Sequence, residues 1–257
     1  MAARQAASIE AEARAIELAK RVEAGLRAHA DPVRAAGARR YLKSEWEFIG
    51  LTTAQLRAVV KAELVVSTGA LGRADLGAAV GALWGRQVFE LKAAALELLT
   101  VRATVLEAGD LRLIERLIRE SQTWALVDAL AAHVAGGLVE RFPRLSATLD
   151  RWARDDDFWV RRAAMLALLV PLRRGGGDFE RFARYADAML GEREFFIRKA
   201  IGWVLREVAK KRPALVVAWL EPRVRRASGV TFREAVRHLP GEDRARLLAL
   251  RARQAEP

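Results

Sequence analysis

The feature that most constrains the fold is a short helical pattern that recurs about every 35 residues. Each copy has an apolar residue, a polar residue and an alanine, and then continues with helical spacing. The aligned alanines are Ala58, Ala93, Ala129, Ala163, Ala200 and Ala235. A period of this length is typical of helical-hairpin solenoids of the HEAT or armadillo kind, in which each repeat stacks on its neighbours. Because the chain is rich in alanine, a chance alignment is the alternative interpretation.

Apolar residues at three- and four-residue spacing dominate the other segments, whereas the alternating Val, Ile and Thr stretches of strands are scarce. Proline and glycine breaks separate these segments, and no Ser- or Pro-rich linker divides the chain. We therefore predict one all-α domain, a HEAT-like or armadillo-type helical-hairpin repeat solenoid with a concave basic groove. Its expected parts are an N-terminal helical cap at about 1–37, about six helical repeats at 38–240 and a basic helical C-terminal tail at 241–257.

The charge balance favours a polyanionic partner. The 257 residues include 44 Lys and Arg against 32 Asp and Glu, which gives a formal net charge of +12 and a pI of about 10.9. Nucleic acid or an anionic membrane surface suits such a charge. Most of the basic residues are Arg, whose planar guanidinium pairs with phosphate at two points. Phosphate is therefore the expected ligand.

Several classes of site are disfavoured by the sequence. The chain has no Cys, which removes disulfides, thiolate metal sites and a cysteine nucleophile. His29, His133 and His238 are scattered, and Gly175 to Gly177 lack the Lys and Ser or Thr of a phosphate-binding loop, so we predict no metal and no nucleotide cofactor. Acidic residues interrupt the N-terminal segment, and no apolar run reaches the roughly 18 to 20 residues of a membrane span. A cytoplasmic protein is expected.

A row of polar residues accompanies the repeat. The residues directly before the aligned alanines are Arg57, Lys92, Asp128, Arg162, Lys199 and Glu234. In a stacked solenoid, equivalent positions lie on one surface, so these side chains are expected to form one stripe. A row of Arg and Lys matches a phosphate backbone. The candidate phosphate contacts, which are alternatively solvated residues on the rim, are Arg57, Lys92, Lys199 and Arg233.

Asp128 does not suit a phosphate-binding row, because a carboxylate repels phosphate. Trp124 lies four residues before Asp128, and Trp203 lies four after Lys199, so both indoles share the face of the stripe. A carboxylate stabilises a sugar that becomes an oxocarbenium ion and can hold the attacking water, and indole faces attract cations. This combination fits hydrolysis of a cationic nucleoside, such as an N-alkylated purine. The alternative is a structural ion pair between Asp128 and Arg162.

The segments around these residues resemble the AlkD-like DNA alkylation repair glycosylases, a family of HEAT-like repeat proteins. The resemblance covers about Ala38 to His238 and is carried, in order, by ARRYLKSEWEFIGL, TWALVD, FWVRRAAML, EFFIRKAIGWVLREVAKKRP and TFREAVRH. It implies hydrolysis of the N-glycosidic bond of 3-methyladenine- and 7-methylguanine-type bases, without strand cleavage. It also implies that the base stays in or near the stack, in an open groove that tolerates bulky lesions.

The resemblance also implies roles for individual residues. The family's catalytic Asp corresponds to Asp128, and its two sugar-contacting tryptophans correspond to Trp124 and Trp203. The Arg that holds the backbone of the lesion strand corresponds to Arg162, and a tyrosine that lines the cleft corresponds to Tyr41. The expected partner is double-stranded DNA with alkylated bases, bound by a monomer. The tryptophans predicted to be core are Trp46, Trp84, Trp152, Trp159 and Trp219.

The sequence leaves two other functions open. A non-catalytic HEAT-like protein that binds distorted or branched DNA would use the same basic stripe. A protein-interaction scaffold is a common role of helical solenoids. DNA binding that weakens steeply with salt would exclude the scaffold, and release of a damaged base would exclude both.

Overall fold

The computed structural model describes residues 2–66 and 71–253, and nearly all of them are helical. Within these ranges, extended pairing is limited to one isolated bridge between Glu47 and Val88. The predicted all-α fold class is therefore confirmed. In the described part of the chain, no helix is both long and apolar enough to cross a membrane. Residues 254–257 of the predicted C-terminal tail lie outside the described residues.

The helices group into two compact units, unit 1 at Met1–Glu107 and unit 2 at Ala108–Pro257. The single domain and the concave groove expected from the sequence stay predictions. In unit 1, α1 packs against α3 and α4, and α5 packs against the same two helices. The helices of unit 1 are α1 Ala2–Arg27, α2 Pro32–Leu42, α3 Thr53–Val66, α4 Arg73–Trp84 and α5 Phe89–Val101.

The segment predicted as an N-terminal cap contains two different kinds of helix. Leu18, Val22 and Leu26 of α1 are almost fully buried, because their four-residue spacing places them on one helical face. Helix α1 is therefore part of the core of unit 1. Helix α2, in contrast, buries none of its residues, and the side chain of Asp31 caps its N-terminus by accepting hydrogen bonds from two backbone amides.

Unit 2 consists of helices that lie in two rows. The site row contains α7 to α8, α10 to α11, α13 and α15, and the second row contains α6, α9, α12, α14 and α16. A π-helical segment, Leu130–Ala135, joins α7 to α8. The helices are α6 Leu111–Ser121, α7 Trp124–Ala129, α8 Gly136–Arg141, α9 Ser146–Trp152, α10 Phe158–Leu166, α11 Leu169–Arg173, α12 Phe179–Met189, α13 Phe195–Ala209, α14 Pro213–Leu220, α15 Gly229–Ala235 and α16 Gly241–Arg253.

Polar side chains link consecutive helices within each row, and the partners are about one repeat apart. In the second row, for example, Tyr185 of α12 donates a hydrogen bond of 2.6 Å to Asp150 of α9. Links in the site row join N-terminal ends to N-terminal ends and C-terminal ends to C-terminal ends, so its helices run in one direction. Representative links of the site row are Arg162 to Asp128, Thr231 to the carbonyl of Arg198, Arg173 to Glu207 and Arg174 to Glu140.

The aligned alanines occupy six different helices, α3, α5, α7, α10, α13 and α15. In unit 2, Ala163, Ala200 and Ala235 are fully buried where the helices of the site row pack. Small residues at these positions let neighbouring helices approach. Within unit 2, the predicted repeat positions thus lie on helices that pack in one row. Of the tryptophans predicted to be core, Trp46 is partly exposed, and the buried ones are Trp84, Trp152, Trp159 and Trp219.

Candidate active site

The segment that carries Trp124 and Asp128 is a short helix followed by a π-helix. Gln122 has a positive φ of 45° and ends α6, and Thr123 caps α7 by accepting a hydrogen bond from a backbone amide. Trp124 and Asp128 lie one turn apart on α7 and face the same side. The apolar spacing from Ser121 to Gly136 predicts an ordinary helix, whereas Leu130–Ala135 is π-helical. π-Helical turns are rare in proteins overall, and many of those that occur lie at functional sites.

A close approach of two backbones accompanies the π-helix. Gly136 begins α8, and a Cβ added there would lie 2.6 Å from the carbonyl oxygen of Ala167, which follows α10. Glycine is therefore required at this position, because any side chain would push the two helices apart. At the neighbouring Gly137, a Cβ would meet no atom within 4 Å.

Asp128 and Arg162 form a bidentate ion pair between α7 and α10. Arg162 Nε donates to Asp128 Oδ1 at 2.7 Å, and Arg162 Nη2 donates to Oδ2 at 2.8 Å. Arg162 Nη1 donates to the carbonyl oxygen of Phe196 at the start of α13. The Arg162 side chain is 3% exposed, and the Asp128 side chain is 16% exposed. One guanidinium thus connects three consecutive helices of the site row.

This geometry bears on the phosphate contact predicted for Arg162, which stays a prediction. A phosphate contact requires a guanidinium that reaches solvent, whereas this one is buried and directs three of its donors to protein acceptors. The structural ion pair that the sequence had left as an alternative is therefore present. Arg162 holds Asp128 in a fixed orientation, and part of the carboxylate remains accessible.

The burial of Asp128 also affects its protonation. Burial raises the pKa of Asp128 above its usual value of 3.8, and the hydrogen bonds and charge of Arg162 oppose that rise. The carboxylate therefore combines a fixed orientation with a poorly hydrated environment. In such an environment a carboxylate interacts strongly with a developing positive charge.

Aromatic rings pack beside this ion pair at the N-terminal ends of α10 and α13. The ring of Phe196 stacks on Phe158 with centroids 6.4 Å apart, lies 4.8 Å from Trp159 and meets Phe195 edge-on at 5.4 Å. The guanidinium carbon of Arg162 is 5.9 Å from the centroid of the Phe196 ring. Phe196 thus lies beside the Arg162 side of the pair. The rings were not predicted as part of the site, although the aromatic pairs FW and FF recur one repeat apart in the sequence.

Trp203 lies on α13 between two cations that share one carboxylate. Lys199 and Arg206 flank Trp203 at helical spacing, and both pair with Glu234 of α15, the Lys199 contact being 2.5 Å. Burial alone would raise the pKa of Glu234, but the hydrogen bond from Lys199 and the charge of Arg206 bring this pKa below its usual 4.5. Trp203 is partly exposed, as is Trp124. Lys199 thus has a carboxylate partner, while Arg233 of α15 is exposed.

The candidate residues of unit 1 differ in how far their side chains are exposed. Lys92 is only 4% exposed, and its Nζ donates to the carbonyl oxygen of Trp84 at 2.6 Å. The same Nζ lies 5.0 Å and 4.9 Å from the ring centroids of Trp46 and Trp84, which is cation–π geometry. The Lys92 ammonium is thus buried between two indoles, and the phosphate contact expected of it stays a prediction.

Two other candidates of unit 1 are accessible. Tyr41 on α2 is 73% exposed. Arg57 on α3 is exposed and pairs with Glu97 at 3.3 Å. Their roles at DNA stay predictions, as does the continuous stripe through both units. In the part of the chain that the structure describes, no three His, Asp or Glu side chains are grouped as metal ligands.

Comparisons with known proteins agree with this arrangement of helices. No curated protein matches the chain. A solved structure described as "Predicted DNA alkylation repair enzyme from Enterococcus faecalis" is similar with a TM-score of 0.74 and 23% sequence identity, over 82% of this chain and 97% of that one. At that identity the similarity concerns the fold. The family model described as DNA alkylation repair enzyme matches residues 22–239, which cover most of both units and include every candidate site residue. By this match the chain belongs to the DNA alkylation repair enzyme family.

Proposed function

We propose that the protein is a monofunctional DNA glycosylase that hydrolyses the N-glycosidic bond of cationic N-alkylpurines, of the 3-methyladenine and 7-methylguanine type, in double-stranded DNA. The observation that carries this proposal is the carboxylate of Asp128, fixed at both oxygens by a buried Arg162 and lying one turn from Trp124 on the same face. The arrangement offers a fixed negative charge beside an aromatic surface. A sugar that becomes cationic is stabilised by both.

The proposed reaction needs no general acid. The bond between C1′ and the purine nitrogen breaks, and its electron pair goes to the base, which already carries a positive charge and leaves as a neutral molecule. Asp128 stabilises the oxocarbenium ion that remains and orients a water molecule towards C1′. Attack by the water gives the abasic deoxyribose and releases one proton. Trp124 and Trp203 contact the sugar, and the base is not extruded into a pocket.

Arg162 acts as a positioning residue in this proposal. Its two hydrogen bonds keep the carboxylate oriented, and its positive charge favours the ionised form that the reaction requires. Contacts to the DNA backbone would then come from exposed basic residues such as Arg57, Arg233 and Lys199, together with Tyr41.

The second candidate is a non-catalytic protein that binds distorted or branched DNA. It is favoured by the fact that both oxygens of Asp128 already accept hydrogen bonds from Arg162, as in purely structural ion pairs. The two candidates share DNA binding and differ in chemistry. Base release therefore separates them.

The test is single-turnover release of 7-methylguanine from a duplex that carries one such base, for the wild type and for Asp128→Asn. We expect Asp128→Asn to lower the rate by about 10²- to 10³-fold, the usual cost of losing one electrostatic stabiliser, with DNA affinity unchanged or improved. Asp187→Asn is the matched control, because it breaks a bidentate pair with Arg223 in the second row of the same unit. Duplex binding without base release by the wild type would favour the non-catalytic candidate.

A further inference from the structure

The helices of the site row end at an edge that carries many basic residues, none of them used in the proposed reaction. We call this set the basic edge. Its members lie at or just after the C-terminal ends of three successive helices of the row. They are Arg141 and Arg144 at α8, Arg173 and Arg174 at α11, and Lys210, Lys211 and Arg212 after α13.

Direct contacts show that these helix ends are adjacent. Arg174 lies 3.6 Å from Glu140 of α8, which connects the end of α11 to the end of α8. Arg212, after α13, donates a hydrogen bond to the carbonyl oxygen of Gly176, which follows α11. The basic edge is therefore continuous from the end of α8 through the end of α11 to the end of α13, with one group of cations at each end.

Cations are in excess on this surface. Glu140 pairs with Arg174, and one carboxylate, Glu207, is shared by Arg173 and Lys210. The Arg174 side chain is 70% exposed even though it has a partner. Two further members, Arg144 and Lys211, are exposed and have no ion pair within the described ranges 2–66 and 71–253.

The opposite edge of the same row has a different character. There the helices begin, and their caps are Thr123, Asp157, Glu194 and Ser228, two of which are carboxylates. Cations at helix C-termini and acids at N-termini complement the helix dipole, which is a structural reason for part of this segregation. The dipole acts on the last turn of one helix. It does not account for several exposed cations that continue from one helix end to the next.

The spacing of the basic edge suits a nucleic acid backbone. Packed helix axes are about 8–10 Å apart, and phosphates of one B-DNA strand advance about 3.4 Å per nucleotide along the axis. Each helix end therefore meets about every third nucleotide. We propose that the basic edge binds the phosphate backbone of one strand of the duplex that flanks the candidate site. This inference takes from the proposed function only that the partner is DNA, and it does not depend on the chemistry at Asp128.

The experiment is the salt dependence of binding to an undamaged duplex. The edge variant is the triple substitution Arg144→Gln, Arg174→Gln and Lys211→Gln, one exposed cation from each of three successive helix ends. The control variant removes the same charge from exposed residues of the second row, Arg112→Gln, Arg116→Gln and Arg184→Gln. Thermal unfolding of both variants confirms that they fold.

We expect the slope of log K against log salt to become shallower by about 0.9 for each lost phosphate contact, so by about 2 to 3 for the edge variant, and to stay at the wild-type value for the control. Equal slopes for wild type and edge variant would overturn the proposal, as would equal reductions in both variants, which would reflect net charge alone. A reduced slope in the edge variant, with no base release by the wild type, would retain the basic edge and overturn the glycosylase.

Discussion

Two ion pairs of the site row involve the same position of the repeat and differ in their surroundings. Asp128 and Arg162 form a bidentate pair in which the Arg162 side chain is 3% exposed and the Asp128 side chain 16% exposed. The Phe196 carbonyl oxygen accepts a third hydrogen bond from Arg162. Lys199 and Glu234 join α13 to α15, with Lys199 38% exposed. The difference lies in the cations, since Arg162 is 3% exposed and lies beside the Phe196 ring, whereas the two carboxylates are similarly buried. The cation at this repeat position is thus buried in one pair and partly exposed in the other, according to what packs over it.

The largest expected contrast between the two pairs is in stability. Replacing Arg162 with Ala leaves a buried carboxylate without its partner, so we expect the free energy of unfolding to fall by about 3–5 kcal/mol. Lys199→Ala removes a partly exposed cation whose carboxylate keeps Arg206, and the expected loss is at most about 1 kcal/mol. Urea unfolding of both variants measures the contrast. Equal losses would mean that burial does not distinguish the pairs.

A smaller effect tests the close packing next to Asp128. Gly136→Ala forces a methyl group against the Ala167 carbonyl, and we expect a loss of about 1–3 kcal/mol. Gly137→Ala is the matched control, because its methyl group points into open space. Alanine is a better helix former than glycine, so this control should gain up to about 1 kcal/mol. Thermal unfolding that shifts equally in both variants would contradict the close approach.

The two carboxylates should also differ in titration. Burial raises the pKa of Asp128 above 3.8, whereas Lys199 and Arg206 outweigh burial at Glu234 and lower its pKa below 4.5. Glu234 therefore contributes stability that is present above pH 4.5 and lost as the pH falls through its lowered pKa. The raised pKa of Asp128 has the opposite effect on stability, because protonation of this carboxyl group at acid pH favours the folded state. Base release, in contrast, should decline as the carboxylate is protonated.

Carboxyl ¹³C NMR titration measures both pKa values directly, with Asp128→Asn and Glu234→Gln used to assign the signals. An Asp128 value below 3.8 would show that Arg162 outweighs burial. The two pairs would then resemble each other electrostatically, whatever their difference in exposure.

The smallest expected effect concerns DNA affinity. Glu234→Gln frees Lys199 and Arg206 from their shared carboxylate and should tighten duplex binding by up to about fivefold, equivalent to about 1 kcal/mol. Fluorescence anisotropy at fixed salt measures the change. Glu221→Gln is a control in the second row, where the carboxylate pairs with Arg246. Tighter binding in both variants would assign the effect to net charge.

Much of the fold follows from local sequence patterns. Periodicity of 3.6 residues predicts the helices, and the alanine repeat predicts their stacking, because both depend on spacing along one chain. The four-residue separation of Trp124 and Asp128 likewise suffices to place them on one face. These features need no knowledge of distant contacts.

The sequence does not show which of the basic side chains are buried and which are exposed. Arg162 is buried because Phe196, 34 residues away, and its neighbouring rings close over it. Lys92 is buried because Trp46 and Trp84 come to lie on either side of it. The residue type at a repeat position does not show whether an Arg or Lys forms a buried structural contact or contacts phosphate. Only packing separates the two.

The π-helix next to the site has a consequence for how such a site arises. An α-helix turns about 100° per residue, and a π-helical turn accommodates one extra residue without breaking the helix. A chain with one residue fewer between Ala129 and Gly136 would keep α8 packed against Ala167 and turn Asp128 about 100° away from Arg162. The direction in which Asp128 points is therefore set by the local helix type between α7 and α8 as well as by its place in the repeat.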